Sequence, residues 1–283
     1  MGSKTKIDWA DATWNPVTGC LHGCEYCYAR KIAERFGGCW RIDLPPDTGW
    51  RGNVGERGLM GDYARHSNGK CHVLDDPETE CAVLDPPSGY RGKVKPYPYY
   101  FDPTFHRYKL KEPQHWKKPR TIFVCSMADL FGEWVPDEWI EQVFKACEAA
   151  PQHRYLFLTK NPERYCKLAN ADKLPAIDNF WYGSSITKQG ESMFAGSIHW
   201  NTFLSIEPLL ERIDVGIGSF GGARWIIVGA ETGKRKGKVI PEREWIENIA
   251  DAADLTQAPV FMKESLCEIM GNDFRQEFPW EVK

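Results

Sequence analysis

The sequence lacks several patterns that would assign it to common protein classes. Its 283 residues contain no apolar run as long as a membrane span. They show no signal-peptide pattern, and Lys6 stands where an N-myristoylation signal carries Ser or Thr. No glycine-rich dinucleotide fingerprint follows a predicted strand. We therefore expect a cytoplasmic protein without membrane contact, and a nucleotide-binding doubly wound sheet is the less favoured fold.

The chain also lacks an excess of positive charge. Its 36 Lys and Arg residues are set against 39 Asp and Glu residues, for a net charge of −3. This balance does not favour a protein that grips long duplex nucleic acid by neutralising phosphates. A local basic patch is still present, because Gly233–Lys238 carries four basic residues after a predicted strand. Such a run is more often a solvated loop, but it can also clamp a phosphate group.

Cysteine, in contrast, is plentiful and locally clustered. Without a secretion signal, ten cysteines indicate a reducing compartment and metal binding rather than disulfides. Cys20, Cys24 and Cys27 form a C-x₃-C-x₂-C run that could hold one face of an iron–sulfur cluster. A [4Fe–4S] cluster normally takes four cysteines, so one iron would remain open for chemistry. A zinc site or free thiols are the alternatives, with His22 expected to face solvent.

The cysteine spacing, together with four further stretches, resembles the radical S-adenosylmethionine (radical SAM) superfamily, and specifically an uncharacterised, phage-associated branch. The four stretches are Trp14–Cys20, Phe123–Phe131, Ser205–Leu209 and Val228–Gly233. The resemblance implies a [4Fe–4S] cluster on the three cysteines and S-adenosylmethionine on the open iron. It also implies that Tyr26 lies beside the adenine of that cofactor.

Polar residues at the ends of predicted strands are the further site candidates, because chemistry in barrels of this type sits at the carboxyl ends of the strands. The expected cofactor contacts are Ser126, Asp129, Thr159, Lys160, Ser184, Ser185 and Glu207. Glu231 and Lys263 are expected to face substrate, and Cys125 could donate a hydrogen atom. Ordinary structural roles remain open: Asp129 as a cap for Phe131, Lys160 as a solvated strand end, Glu207 as a loop brace, and Cys125 as a small apolar residue inside a strand.

Alternating strands and helices define the expected fold. We predict a first strand within residues 7–19, a helix over Tyr28–Phe36, and regular βα units from Arg120 onward. Right-handed crossovers would curl about six to seven parallel strands into an α/β partial (β/α) TIM-like barrel. The predicted organisation is a first βα unit at 1–37, an irregular insertion at 38–118, and the remainder of the same barrel at 119–283.

The predicted insertion is rich in Gly, Pro, Asp and Tyr, without a sustained helical or strand period. We expect short hairpins there and a helical stretch near Thr104–Trp116. Cys39, Cys71, His72 and Cys81 offer ligands for a second metal, but they lack C-x₂-C spacing, which favours free thiols.

The expected function is therefore that of a radical SAM enzyme. The resemblance implies reductive cleavage of S-adenosylmethionine to a 5′-deoxyadenosyl radical, with electrons from a reductant such as flavodoxin or ferredoxin. The basic loop, residues Gly233–Lys238, suggests a phosphate-bearing substrate, either a nucleotide or a nucleic acid. The alternative is a non-enzymatic metal- or nucleic-acid-binding protein with a structural cysteine site.

Overall fold

The computed structural model describes residues 5–37, 72–76, 81–85, 96–194, 198–215, 220 and 222–281, with the backbone alone for most of 72–76 and 81–85. The chain forms two compact units. Unit 1 comprises residues 1–13, 118–123 and 151–283, and unit 2 comprises residues 14–117 and 124–150.

The protein has an α/β fold in which seven parallel strands form a curled, half-barrel sheet. Its strands are β1 (Ala12–Trp14), β6 (Thr121–Val124), β7 (Arg154–Thr159), β8 (Phe180–Ile186), β9 (Asn201–Ile206), β10 (Ile226–Val228) and β11 (Val260–Met262). The order of strands across this sheet is β1-β6-β7-β8-β9-β10-β11. From β6 onward, chain order and spatial order coincide, as expected for successive βα units. The predicted parallel sheet is confirmed.

Helices follow several of these strands. They are α1 (Tyr28–Phe36), α2 (Asp137–Glu148), α3 (Glu163–Asn170), α4 (Arg243–Leu255) and α5 (Cys267–Met270). Helix α2 buries Ile140, Val143, Phe144 and Cys147, which share one face at helical spacing. None of the described helices has the length and apolar character needed to cross a membrane.

The core of unit 1 lies on both faces of its strands. Because side chains alternate along a strand, neighbours such as Phe203 and Leu204 point to opposite faces. Phe203 packs with Trp9, Trp181 and Trp225 in an aromatic cluster. Leu204 belongs instead to an aliphatic cluster that includes buried residues of α4.

The predicted single strand within residues 7–19 is wrong, because the chain forms two short strands there in different sheets. Strand β2 (Val17–Thr18) belongs to a four-stranded sheet of order β2-β5-β4-β3. The break falls at Pro16, which has no backbone N–H for a ladder and whose carbonyl accepts from His106 N at 2.7 Å.

The other strands of the four-stranded sheet are β3 (His72–Asp76), β4 (Cys81–Asp85) and β5 (Thr104–His106). Strands β3 and β4 pair antiparallel, so the expectation of a short hairpin is confirmed. The segment predicted to be helical near Thr104–Trp116 instead begins as β5 and continues through two 3₁₀ turns. Cys39 and Cys71, and the side chains of His72 and Cys81, lie outside the described residues, so the second metal site stays a prediction.

Candidate functional site

The three clustered cysteines lie in the thiol loop, residues 19–27 of unit 2, between β2 and α1. All three side chains are half-buried and carry free thiols. Cys27 caps α1, because its Sγ accepts a hydrogen bond from Arg30 N at 3.4 Å. One ligand candidate therefore lies at the amino end of α1.

Backbone hydrogen bonds anchor the first half of the loop. Gly19 N donates to Met127 O at 2.9 Å, and Cys20 N donates to Phe101 O at 3.1 Å. Arg30 Nη2 donates to Cys20 O at 3.2 Å, and its guanidinium lies 4.9 Å from the Phe101 ring centroid. Segments distant in sequence, around Phe101 and Met127, therefore hold the first half of the loop.

An apolar surface supports the loop from beneath. Ala29, Ala33, Phe101 and Met127 form a buried cluster against which Cys20 and Cys27 pack. Burial is the main reason that the pKa of the Cys20 thiol is raised to about 12, although a backbone hydrogen bond from His22 opposes the rise. The charges of Asp129 and the other two thiols raise this pKa further. A metal that binds Cys20 must therefore displace a firmly held proton.

Gly19 is required where the loop begins. Its φ of +89° lies in the left-handed region, and a Cβ added there would lie 2.2 Å from Asp102 O. The clash would be with backbone, which cannot rotate away. The chain therefore approaches Asp102 closely enough that only glycine fits.

His22 was expected to face solvent, but the structure places it against other side chains. Its Nε2 lies 2.7 Å from Asp129 Oδ2, its ring packs edge-on against Trp134, and only 23% of its side chain is exposed. Asp129 Oδ1 also accepts from Phe131 N at 3.0 Å, which confirms the predicted cap. A single carboxylate thus orients both the thiol loop and the turn after β6.

The segment after β6 is also fixed from two sides. Asn15 Oδ1 accepts from Ser126 Oγ at 3.2 Å and from Met127 N at 2.9 Å. Tyr28 OH donates to Ser126 O at 2.8 Å. Asn15 was not among the sequence-based candidates, although it belongs to the Trp14–Cys20 stretch.

Cys125 was predicted inside a strand, and that placement is wrong. It follows β6 in a turn with φ of +58° and donates its N–H to Trp14 O at 2.8 Å. The thiol is buried, which raises its pKa to about 12. Tyr26 lies half-buried in the thiol loop between Cys24 and Cys27.

In unit 1, the candidates at the ends of β7 and β8 have different surroundings. Thr159 is buried, and its Oγ1 accepts from Asn161 N at 2.9 Å. Lys160 follows directly and is half-buried. Ser184 is buried, and its Oγ accepts from Phe194 N at 2.8 Å. Strand alternation places Ser185, rather than Ser184, on the same face as Trp181.

Glu207 and Lys263 form an ion pair in unit 1, just beyond β9 and β11. Gly229 lies beyond the intervening β10, and a Cβ there would meet Lys263 Cδ at 2.9 Å and Glu207 Cγ at 3.3 Å. Glycine therefore leaves room for the pair. Lys263 was expected near substrate and Glu207 near cofactor, and the structure brings these two side chains together.

Ser205 is a candidate that sequence reasoning did not assign. It is buried on β9, and its Oγ has no hydrogen-bond partner among the described residues. Because side chains alternate along a strand, Phe203, Ser205 and Glu207 lie on one face. This two-residue repeat is the sequence pattern that could have identified Ser205 as a candidate. This buried hydroxyl therefore lies two residues before Glu207 of the ion pair.

Glu231 lies at the start of the basic loop. Its two carboxylate oxygens accept from Arg235 Nε and Nη2, each at 2.7 Å, and the carboxylate is buried. These hydrogen bonds are the main reason that the pKa of Glu231 is lowered. One of the four basic residues is thus neutralised, while Lys234, Lys236 and Lys238 are exposed.

Across the described part of the chain, no group of three or more His, Cys, Asp or Glu side chains is arranged to hold one metal ion. A mononuclear site requires its ligands to converge on one point.

The class defined by these observations is an α/β half-barrel protein with an anchored loop of three free thiols. The chain belongs to the family described as protein of unknown function (DUF5131), whose model matches residues 4–52 and 88–269, more than half of its length. The matched ranges contain the thiol loop and the Glu207–Lys263 pair. No curated protein and no solved structure matches the chain.

Proposed function

We propose that this protein is a radical SAM enzyme with one [4Fe–4S] cluster on Cys20, Cys24 and Cys27. In this proposal the seven-stranded half barrel is a partial (β/α) TIM-like barrel. The observation that carries the proposal is the thiol loop itself, which brings three free thiols into nine residues and is anchored at Gly19 and Cys20 by long-range backbone hydrogen bonds.

Three features of the loop suit a cluster with one open iron. The cap at Cys27 places one thiolate at the amino end of α1, the apolar cluster shields Cys20 from water, and Cys24 completes the set. No fourth thiolate is part of the loop. A cofactor with amino and carboxylate groups can therefore complete the coordination.

The bound cluster would supply one electron, delivered by an external reductant, to break a carbon–sulfur bond of S-adenosylmethionine and release methionine and a 5′-deoxyadenosyl radical. The chain's own residues would orient the reactants and exclude water. Asn15 and Tyr28 hold the segment around Ser126, and the His22–Asp129 pair fixes the middle of the thiol loop.

The substrate proposed for this enzyme carries a phosphate group. Lys234, Lys236 and Lys238 are exposed, and Arg235 anchors their loop through Glu231. Ammonium groups on a short loop can contact phosphate oxygens without reading a base sequence. A nucleotide or nucleic acid is the substrate class that fits this loop.

Anaerobic reconstitution tests the proposal. We expect the wild-type chain to take up about four iron atoms and about four sulfides, turn brown, and release 5′-deoxyadenosine from S-adenosylmethionine under dithionite. Cys20→Ala, Cys24→Ala and Cys27→Ala should each lose the cluster and the cleavage. Cys166→Ala is the matched control, because it removes an exposed free thiol from α3.

Two results would contradict the proposal. One is a full cluster and intact cleavage in any variant of the triad. The other is stoichiometric zinc with no iron uptake and no cofactor cleavage, which would support the non-enzymatic metal-binding alternative.

A further inference from the structure

A cavity lies in unit 1, where β6, β7 and β8 begin. It has a volume of about 350 Å³, within the range of small-molecule sites. Its lining includes Asp11, Arg120, Gln152, Arg154, Asn179 and Trp280. We call it the amino-edge cavity, because these residues lie near the amino ends of the strands.

Arg154 is held in a fixed orientation in this cavity. Its guanidinium carbon lies 3.9 Å from the Trp280 ring centroid, and its Nη1 donates to Thr121 Oγ1 at 3.2 Å. Trp280 packs edge-on against Trp181 and Trp225, with ring centroids 5.7 and 5.2 Å apart. The guanidinium therefore rests on an aromatic ring that the core immobilises. A planar guanidinium group that is already held in one orientation loses little conformational entropy when it binds a ligand.

The cavity lining carries the guanidinium groups of Arg120 and Arg154 and one carboxylate, that of Asp11. That carboxylate is already engaged, since Asp11 Oδ2 accepts from Thr121 N at 2.7 Å. Within the described part of the chain, Arg154 forms no ion pair, and it is only partly exposed. A cation withdrawn from water in this way favours an anionic partner.

Burial lowers the pKa of Arg154, and the nearby charge of Asp11 opposes this effect only in part. The side chain nevertheless remains charged at neutral pH, because an arginine loses its proton only in strongly basic solution. An incoming anion would therefore meet a permanent positive charge.

We propose that the amino-edge cavity binds a small oxyanion, a carboxylate or a phosphate group, through Arg154 and Arg120. A guanidinium can donate two parallel hydrogen bonds to either group. Gln152 also lines the cavity, with its Nε2 at 3.2 Å from His153 Nε2. The proposal uses none of the residues of the thiol loop, so it stands whether or not the protein binds a cluster.

Calorimetric titration of the full chain tests the proposal, with sodium phosphate and sodium malonate titrated separately at constant ionic strength. We expect at least one anion to bind. Arg154→Gln and Arg120→Gln should each weaken that binding about tenfold or more, as expected for loss of a charge-assisted hydrogen bond. Arg154→Lys should weaken anion binding less than Arg154→Gln, because lysine keeps the positive charge and loses only the paired N–H donors of the guanidinium group.

Lys236→Gln is the control, since it removes one positive charge from the exposed basic loop of the same unit. It should leave the anion affinity unchanged. Circular dichroism checks that each variant folds. If Arg154→Gln does not fold, Arg120→Gln decides the test. The proposal is overturned if neither anion binds. It is also overturned if Lys236→Gln abolishes binding while the cavity variants retain it.

Discussion

The thiol of Cys20 differs from an ordinary cysteine because burial holds its proton. Its pKa of about 12 means that the thiolate is scarce at neutral pH in the metal-free chain. Because the thiolate is the nucleophile, alkylation at Cys20 should become about tenfold faster per pH unit from about pH 8 to about pH 11. Peptide mass spectrometry after anaerobic treatment with iodoacetamide measures this rate.

N-acetylcysteine serves as the reference, and its alkylation should level off above an ordinary thiol pKa of about 8.5. A plateau for Cys20 at that same pH would show that its environment does not suppress ionisation.

His106 is the second residue whose ionisation the fold controls. It is fully buried in unit 2, and its Nε2 lies 2.8 Å from Thr18 Oγ1. Burial, with a smaller effect from the charge of Lys109, lowers its pKa well below 6.5. Below about pH 6.5 the unfolded chain binds a proton there and the folded chain does not. The stability contribution of His106 is therefore complete above this pH and falls as the pH decreases toward its folded pKa.

The wild-type protein should accordingly lose more unfolding free energy between pH 6.5 and pH 5 than His106→Gln. The difference between the two slopes should be at most about 1.4 kcal/mol per pH unit. Denaturant titrations at several pH values measure both slopes. His115→Gln changes an exposed histidine of the same unit and should keep the wild-type slope. Parallel curves for wild type and His106→Gln would refute this account.

Among the structural elements, the thiol loop offers a matched pair of glycines. Gly19 and Gly23 both have positive φ, at +89° and +71°. A Cβ at Gly19 would meet Asp102 O at 2.2 Å, whereas a Cβ at Gly23 would meet nothing within 4 Å. Both alanine variants should carry the cost of a left-handed residue, about 1–2 kcal/mol. Only Gly19→Ala adds a backbone clash.

We therefore expect Gly19→Ala to lower the unfolding free energy clearly more than Gly23→Ala, and to reduce iron uptake on reconstitution. Urea denaturation and iron analysis of both variants provide the comparison. Equal losses in the two variants would mean that the contact with Asp102 does not constrain the loop.

The elements also show which parts of the structure the sequence could predict. Helix α1 has the predicted bounds, because helix formers with apolar spacing end at Gly37. The first strand could not be placed correctly, since Pro16 divides one alternating stretch between two sheets. Cys125 looked like a strand residue because apolar neighbours precede it. Its φ of +58° and the hydrogen bond from Ala128 N to Cys125 O place it in a turn.

For the whole molecule, the sheet was predictable and much of the candidate site was not. Alternating strands and helices after residue 119 are local patterns, and they produced the correct parallel sheet. The spacing of the three cysteines is equally local. The contact between His22 and Asp129 joins residues 107 positions apart. No local period reports such a contact, so it could be found only from the fold.

The proposed function requires the three cysteines to hold a four-iron cluster with one iron open to the amino and carboxylate groups of S-adenosylmethionine. Electron paramagnetic resonance of the reconstituted, dithionite-reduced protein tests this claim most directly. Saturating S-adenosylmethionine should change the g-values of the cluster signal. Methylthioadenosine, which lacks both groups, should leave them unchanged. Identical spectra with and without S-adenosylmethionine would contradict the claim, as would the absence of any cluster signal.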